Sequence, residues 1–98
     1  MTEFSLSNLV LSPTGDRLYT FEYAAQVTET STVVIEQFAR VGAIDPIGSL
    51  LQAREIARIA QIQRLRRDLG LNLVGAMMVL DMAQDLAQLR VRLKALQS

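Results

Sequence analysis

From Asn72 to Gln97 nothing in the sequence stops a helix: there is no proline, and the one glycine, Gly75, lies near the start. A glycine there weakens the helix by only about 1 kcal/mol. About 26 residues at 1.5 Å each make a rod of roughly 39 Å, long for a chain of 98 residues. Two apolar stripes run along it. Leu73, Met77, Leu80, Ala83 and Ala87 form the first, which fades by Arg90, as packing on the chain's own core would produce. The second is Val79, Met82, Leu86, Leu89, Leu93 and Leu96, spaced 3, 4, 3, 4, 3. That spacing is a heptad seam. It continues past the point where a small body can cover it, and exposed leucines in a row call for a partner. The expectation is a homodimer through this terminal helix. A parallel pair would gather Arg90, Arg92 and Lys94 of both copies at one end, whereas antiparallel pairing brings them toward Asp81 and Asp85. Antiparallel is favoured.

The preceding residues read as a small helical body with a strand lid. "FSLSNLVL" and "RLYTF", on either side of the turn residues Pro13 and Gly15, predict a β-hairpin. Thr20 is placed to cap a helix over 21–27, with Glu22 in its first turn. "TETS" is a turn, Thr30 or Ser31 caps a second helix over 32–41, and Val34, Ile35, Phe38 and Val41 share its apolar face. Gly42 stands where a left-handed helix stop is needed. "IGSLLQ" reads as a short link. A third helix covers about 52–69, with Ile56, Ile59, Ala60, Ile62, Leu65 and Leu69 on one face, and Gly70 ends it. The chain is expected to be one compact, mainly α domain: residues 1–71 hold the hairpin, the helix-turn-helix and the third helix, and residues 72–98 form the dimerisation helix.

Composition removes most catalytic chemistry. The chain has no cysteine and no histidine, which excludes disulfides, thiol nucleophiles, imidazole bases and most zinc sites. No glycine-rich phosphate loop and no convincingly opposed carboxylate pair are visible, so no enzyme activity, metal or cofactor is expected. "GAMMVLDM" has the methionines of a soft groove, although a packing role suits them better. No secretory signal is visible, and the longest apolar run, "LVGAMMVL", is too short to span a membrane. A cytoplasmic location is expected.

Charge is unevenly divided. Residues 1–50 hold two arginines against six carboxylates, net −4, and residues 51–98 hold eight basic groups against four acidic ones, net +4. A helix-turn-helix that reads DNA needs basic groups for the phosphates. The second helix offers Thr32 and Gln37 to bases but only Arg40 to phosphates, and Arg64, Arg66 and Arg67 sit away from it. DNA binding is therefore the alternative reading. Glu22, Glu29, Glu36 and Asp45 instead form a candidate acidic face, with Asp81 and Asp85 as a second acidic pair one helical turn apart.

The order of helix-turn-helix, short link, third helix and long terminal helix resembles the MerR family, in which "LRR-x-L-G" precedes the dimerisation helix. "LRRDLG" stands at residues 65–70. The longer "RLRRDLGLNLVGAMMVLDM" and the upstream "FEYAAQVTETSTVVIEQFARVGAIDP" resemble the chaperone-modulator branch, CbpM. The likeness covers about residues 18–96. It implies a MerR-like winged helix-turn-helix that dimerises through its last helix and binds the J-domain of a DnaJ- or CbpA-like co-chaperone, keeping it from its DnaK-type chaperone. An acidic face would complement the basic helix of a J-domain. The chain departs from the pattern after Pro46, where only "IGSLLQA" stands in place of a longer wing.

Overall fold

The computed structural model describes residues 9–11 and 17–97. The beginning of the expected hairpin, from Phe4, and its Pro13–Gly15 turn lie outside the described residues. In chain order the elements are β1 (Leu9–Leu11), β2 (Arg17–Thr20), α1 (Phe21–Val27), α2 (Thr32–Arg40), β3 (Leu50–Gln52), α3 (Ala53–Leu69) and α4 (Leu73–Gln97). The fold is mainly helical and MerR-like. The chain divides into two compact units, residues 1–60 and 61–98, and α3 contributes to both.

In the first unit an antiparallel sheet has the order β1-β2-β3. Val10 pairs with Leu18, and Tyr19 pairs with Leu51. Leu18 and Leu51 are both buried. They sit one step out of register, hence on opposite faces, so both faces of the sheet are covered. β3 is the element that sequence reasoning took for a link. Ile47 and Leu50 exchange backbone hydrogen bonds of 2.8 and 3.1 Å around Gly48 and Ser49. Gly48 has φ +64° at the first central position, which a two-residue turn of the II′ type gives to glycine. The chain thus has a wing of minimal length, which returns to pair with β2.

The helix-turn-helix is closed by its caps. Thr20 accepts from the Tyr23 amide at 3.1 Å, and Ser31 accepts from the Val34 amide at 3.3 Å. Of the two expected caps for α2, Ser31 is the one used. At the other end of α2 the Gly42 amide donates to Ala39 O and the Ala43 amide to Phe38 O, with Gly42 at φ +79°. This is a Schellman stop. α1 ends the same way: Glu29 donates to Gln26 O, and Thr30 donates to Ala25 O at 2.8 Å. Here the left-handed position is held by a glutamate, Glu29 at φ +57°, the one non-glycine at positive φ among the described residues. A Cβ in that conformation costs roughly 1 kcal/mol.

Between the caps, Ala24, Ala25, Ile35 and Phe38 are buried. Val34 is half-buried, and Val41 leaves the apolar face because α2 ends at Arg40 and Val41 is its cap. The loop after α2 buries Ala43 and Ile44. It is tied down by α3: the Asp45 amide donates to Glu55 Oε1 at 3.2 Å, and Arg58 Nε donates to Ala43 O at 2.6 Å. Glu55 is the one charged side chain buried among the described residues, a burial tolerated because its oxygen has a partner.

In the second unit Gly70, at φ +67°, ends α3, and Asn72 caps α4 by accepting from the Gly75 amide at 2.8 Å. Ala76 and Leu80 are the buried residues of α4. From Asp81 to Gln97 every residue is exposed. No single helix among the described residues is long and apolar enough to cross a membrane.

The two Schellman stops make a matched pair for mutation. Glu29→Gly is expected to stabilise the chain by about 0.5–1 kcal/mol, because relief of the left-handed conformation exceeds the added freedom of the unfolded chain. Gly42→Ala is expected to cost about 1 kcal/mol through backbone strain, since an added Cβ meets nothing within 4 Å. Urea midpoints of both variants check the signs.

Candidate functional site

The four carboxylates expected to form an acidic face all lie in the first unit, and all are exposed. Glu22 is in the first turn of α1, Glu29 in the turn between the helices, Glu36 on α2, and Asp45 in the loop pinned by Glu55. Caps at both ends hold Glu22 and Glu36 on rigid helices, and the Schellman hydrogen bonds hold Glu29. The outer side of α2 also displays Val33, Gln37 and Arg40. A carboxylate and an arginine four residues apart, Glu36 and Arg40, leave this helix without net positive charge toward a partner. Asp81 and Asp85 belong to the second unit, exposed on α4, so the six carboxylates divide between two bodies.

A basic site absent from the sequence reading lies on the sheet. Arg17, Tyr19, Gln52, Ala53 and Arg54 line an open cleft of about 350 Å³. The pairing of Leu18 with Gln52 brings Arg17, which opens β2, beside Arg54, in the first turn of α3. The start of α3, the positive end of its dipole, lies at the same place. Tyr19 is steadied by stacking on Tyr23, with ring centroids 5.0 Å apart and planes 19° apart. Two guanidiniums, a helix start and two neutral hydrogen-bonding side chains suit an anion such as a phosphate or carboxylate. Nothing in the sequence signals this cleft unless β3 is recognised first.

The seam of α4 is open in the single chain. Val79 is half-buried, and the rest are exposed: Met82 at 67%, Leu86 at 50%, Leu89 at 53%, Leu93 at 56% and Leu96 at 83%. The companion stripe behaves differently, for Leu80 is buried and Leu73 and Met77 are half-buried, while Ala83 and Ala87 lie in the exposed arm. A second apolar feature adjoins the seam. Gln61, Arg64 and Leu65 of α3 and Val79, Leu80 and Ala83 of α4 line a groove of about 190 Å³. Among the described residues no three acidic side chains gather as a metal site would require.

Residues 21–98 match the MerR HTH family regulatory proteins. The chain belongs to that family. Among curated proteins, heat shock protein HspR of Streptomyces coelicolor is 29% identical over 80 residues, covering 76% of this chain and 53% of that protein. The chain thus spans about half the length of that relative. No solved structure matches it.

The exposed arm leads to an expectation about helicity if two copies cover it. Most of a helix's stability in a protein comes from packing of its apolar face, and every residue of the arm from Asp81 to Gln97 is exposed. Far-ultraviolet circular dichroism is expected to show helix content falling on dilution. Leu89→Asp should weaken association by about 3 kcal/mol or more, since two leucines are lost per dimer. Sedimentation velocity checks the second outcome.

Proposed function

We propose that this MerR-family chain is a non-catalytic cytoplasmic regulator whose partner is a protein: the J-domain of a DnaJ- or CbpA-like co-chaperone, held away from its DnaK-type chaperone. The observation that carries the reading is the exposed carboxylate set Glu22, Glu29 and Glu36 on the helix-turn-helix, with Glu29 held in a left-handed conformation at the cost of strain. Strain of this kind is tolerated where a side chain has work at the surface. The set complements a basic helix and would speed encounter with it. The resemblance of residues 64–82 to the CbpM branch points the same way, and a chaperone partner is in keeping with a relative named for heat shock. Homodimerisation through Val79, Met82, Leu86, Leu89, Leu93 and Leu96 belongs to the same reading.

A second reading, a DNA-binding transcriptional regulator, has its own observation. The cleft between Arg17 and Arg54 puts one arginine on the sheet of the helix-turn-helix unit and one beside it at the start of α3, where the sequence suggested none. Family membership favours this reading as well.

Two titrations separate the readings. Isothermal calorimetry against a purified J-domain is expected to show binding that weakens about tenfold or more when Glu22, Glu29 and Glu36 are all changed to Lys, a loss of about 1.4 kcal/mol. Unchanged binding after reversal of these three together with Asp45, Asp81 and Asp85 would sink the electrostatic mechanism. A gel shift on duplex DNA at low ionic strength tests the alternative: a shift abolished by Arg17→Ala with Arg54→Ala supports it, and no shift at micromolar protein closes it.

A further inference from the structure

We infer that the cleft lined by Arg17, Tyr19, Gln52, Ala53 and Arg54 binds a small phosphomonoester. The terminal phosphate lies between the two guanidiniums, and a flat ring of the ligand lies against Tyr19. The site needs neither a protein partner nor a duplex, and so stands apart from both readings of function.

The charges select an anion. Residues 17–60 carry four arginines and five carboxylates. Arg58 is engaged by the Ala43 carbonyl, and Arg40 is displayed on α2. The other two arginines line this one cleft, and among the described residues no carboxylate lines it with them. Both are exposed. Neither has an ion-pair or hydrogen-bond partner among the described residues. Two cations brought to one cavity without a counter-charge repel each other, and a bound anion turns that repulsion into attraction.

Valence selects a terminal phosphate. A phosphomonoester carries a charge of about −1.5 to −2 at neutral pH, which matches two guanidiniums. Each guanidinium can hold phosphate oxygens through a parallel pair of N–H donors. A backbone phosphodiester carries one charge and comes in a long row of others. Glu22 follows Tyr19 by three residues, and Glu29 and Glu36 are exposed on the same unit. An extended polyanion laid across this unit meets their repulsion, which reaches about 8 Å at physiological salt. A compact dianion needs only the two arginines.

Size and lining select a ligand with a ring. The cleft has a volume of about 350 Å³, within the range of small-molecule sites, and a bare phosphate leaves most of it to water. Tyr19 is stacked on Tyr23, which steadies the ring that the ligand meets, and aromatic faces take flat groups in offset stacks. Ala53 adds apolar surface. Gln52 offers an amide to polar substituents.

Phenyl phosphate is the minimal probe, a phosphomonoester carrying one ring. It is titrated into the full chain, labelled with nitrogen-15, and followed by amide chemical shifts. Saturable shifts are expected at residues 17–20 and 52–54. Phenyl phosphate should bind about tenfold tighter than either inorganic phosphate or methyl phenyl phosphate, the singly charged diester. Arg17→Gln and Arg54→Gln, both at exposed positions, should each weaken it about tenfold, while Arg67→Gln, in the second unit, should leave it unchanged. Tyr19→Leu should weaken phenyl phosphate and spare inorganic phosphate. Circular dichroism checks that each variant keeps its fold. Equal affinity for phenyl phosphate and either control would overturn the inference. So would shifts confined to other residues, or no saturable shift up to about 10 mM. A blunt duplex without terminal phosphates that moves the same amides at lower concentration would also overturn it, and would favour the DNA reading instead.

Discussion

Two hydrogen bonds decide where the chain goes after its helix-turn-helix. Glu55 receives the Asp45 amide, and Arg58 donates to the Ala43 carbonyl. Between them they hold the loop that buries Ala43 and Ile44, and they set the starting point from which the chain returns to the sheet as β3. Without that return β2 would have a single neighbour, a two-stranded ribbon of marginal stability. The cleft at Arg17 and Arg54 would not exist, because β3 and the start of α3 form one of its walls. A buried carboxylate is costly unless its oxygens are engaged, so the placement of Glu55 and the course of the loop require each other.

What the sequence made legible was local. Thr20, Asn72, Gly42 and Gly70 are read within one turn of their helices, and the structure uses each as expected. The exposure of the heptad leucines followed from spacing alone. β3 was hidden because three residues, Leu50–Gln52, are too few to show alternation. They become a strand only by pairing with β2, some thirty residues earlier. Glu29 was recognised as a carboxylate in a turn, but its left-handed backbone was not, since glutamate carries no signal for that conformation and the Schellman hydrogen bonds that impose it involve Ala25 and Gln26. The acidic residues were legible as types and as exposed groups. Their division between two units was not, because that depends on where packing separates the chain.

The structure sharpens the charge asymmetry of the sequence into distinct surfaces. The helix-turn-helix unit is acidic over its helices and basic in one cleft on its sheet. A regulator of the MerR family has both helices and sheet available to a partner, and here the two carry opposite signs. The same fold can therefore present a face suited to a cationic protein and a face suited to an anion, and the identity of the ligand follows from which face is engaged. Loop lengths matter to this outcome: the wing is reduced to one two-residue turn, so an anion entering the cleft would approach the sheet rather than a projecting hairpin.

The uncovered arm of α4 has a consequence for the lifetime of the protein. Segments that open easily are where proteases cut, and their cleavage follows the population of the open form. A solitary chain offers the stretch from Asp81 to Gln97 as such a segment, and on the proposed dimer the second copy shields it. Turnover would then fall mainly on chains without a partner. The amount of protein in the cell would be trimmed toward the concentration at which the arms find each other, with surplus copies removed first and no separate signal needed to mark them.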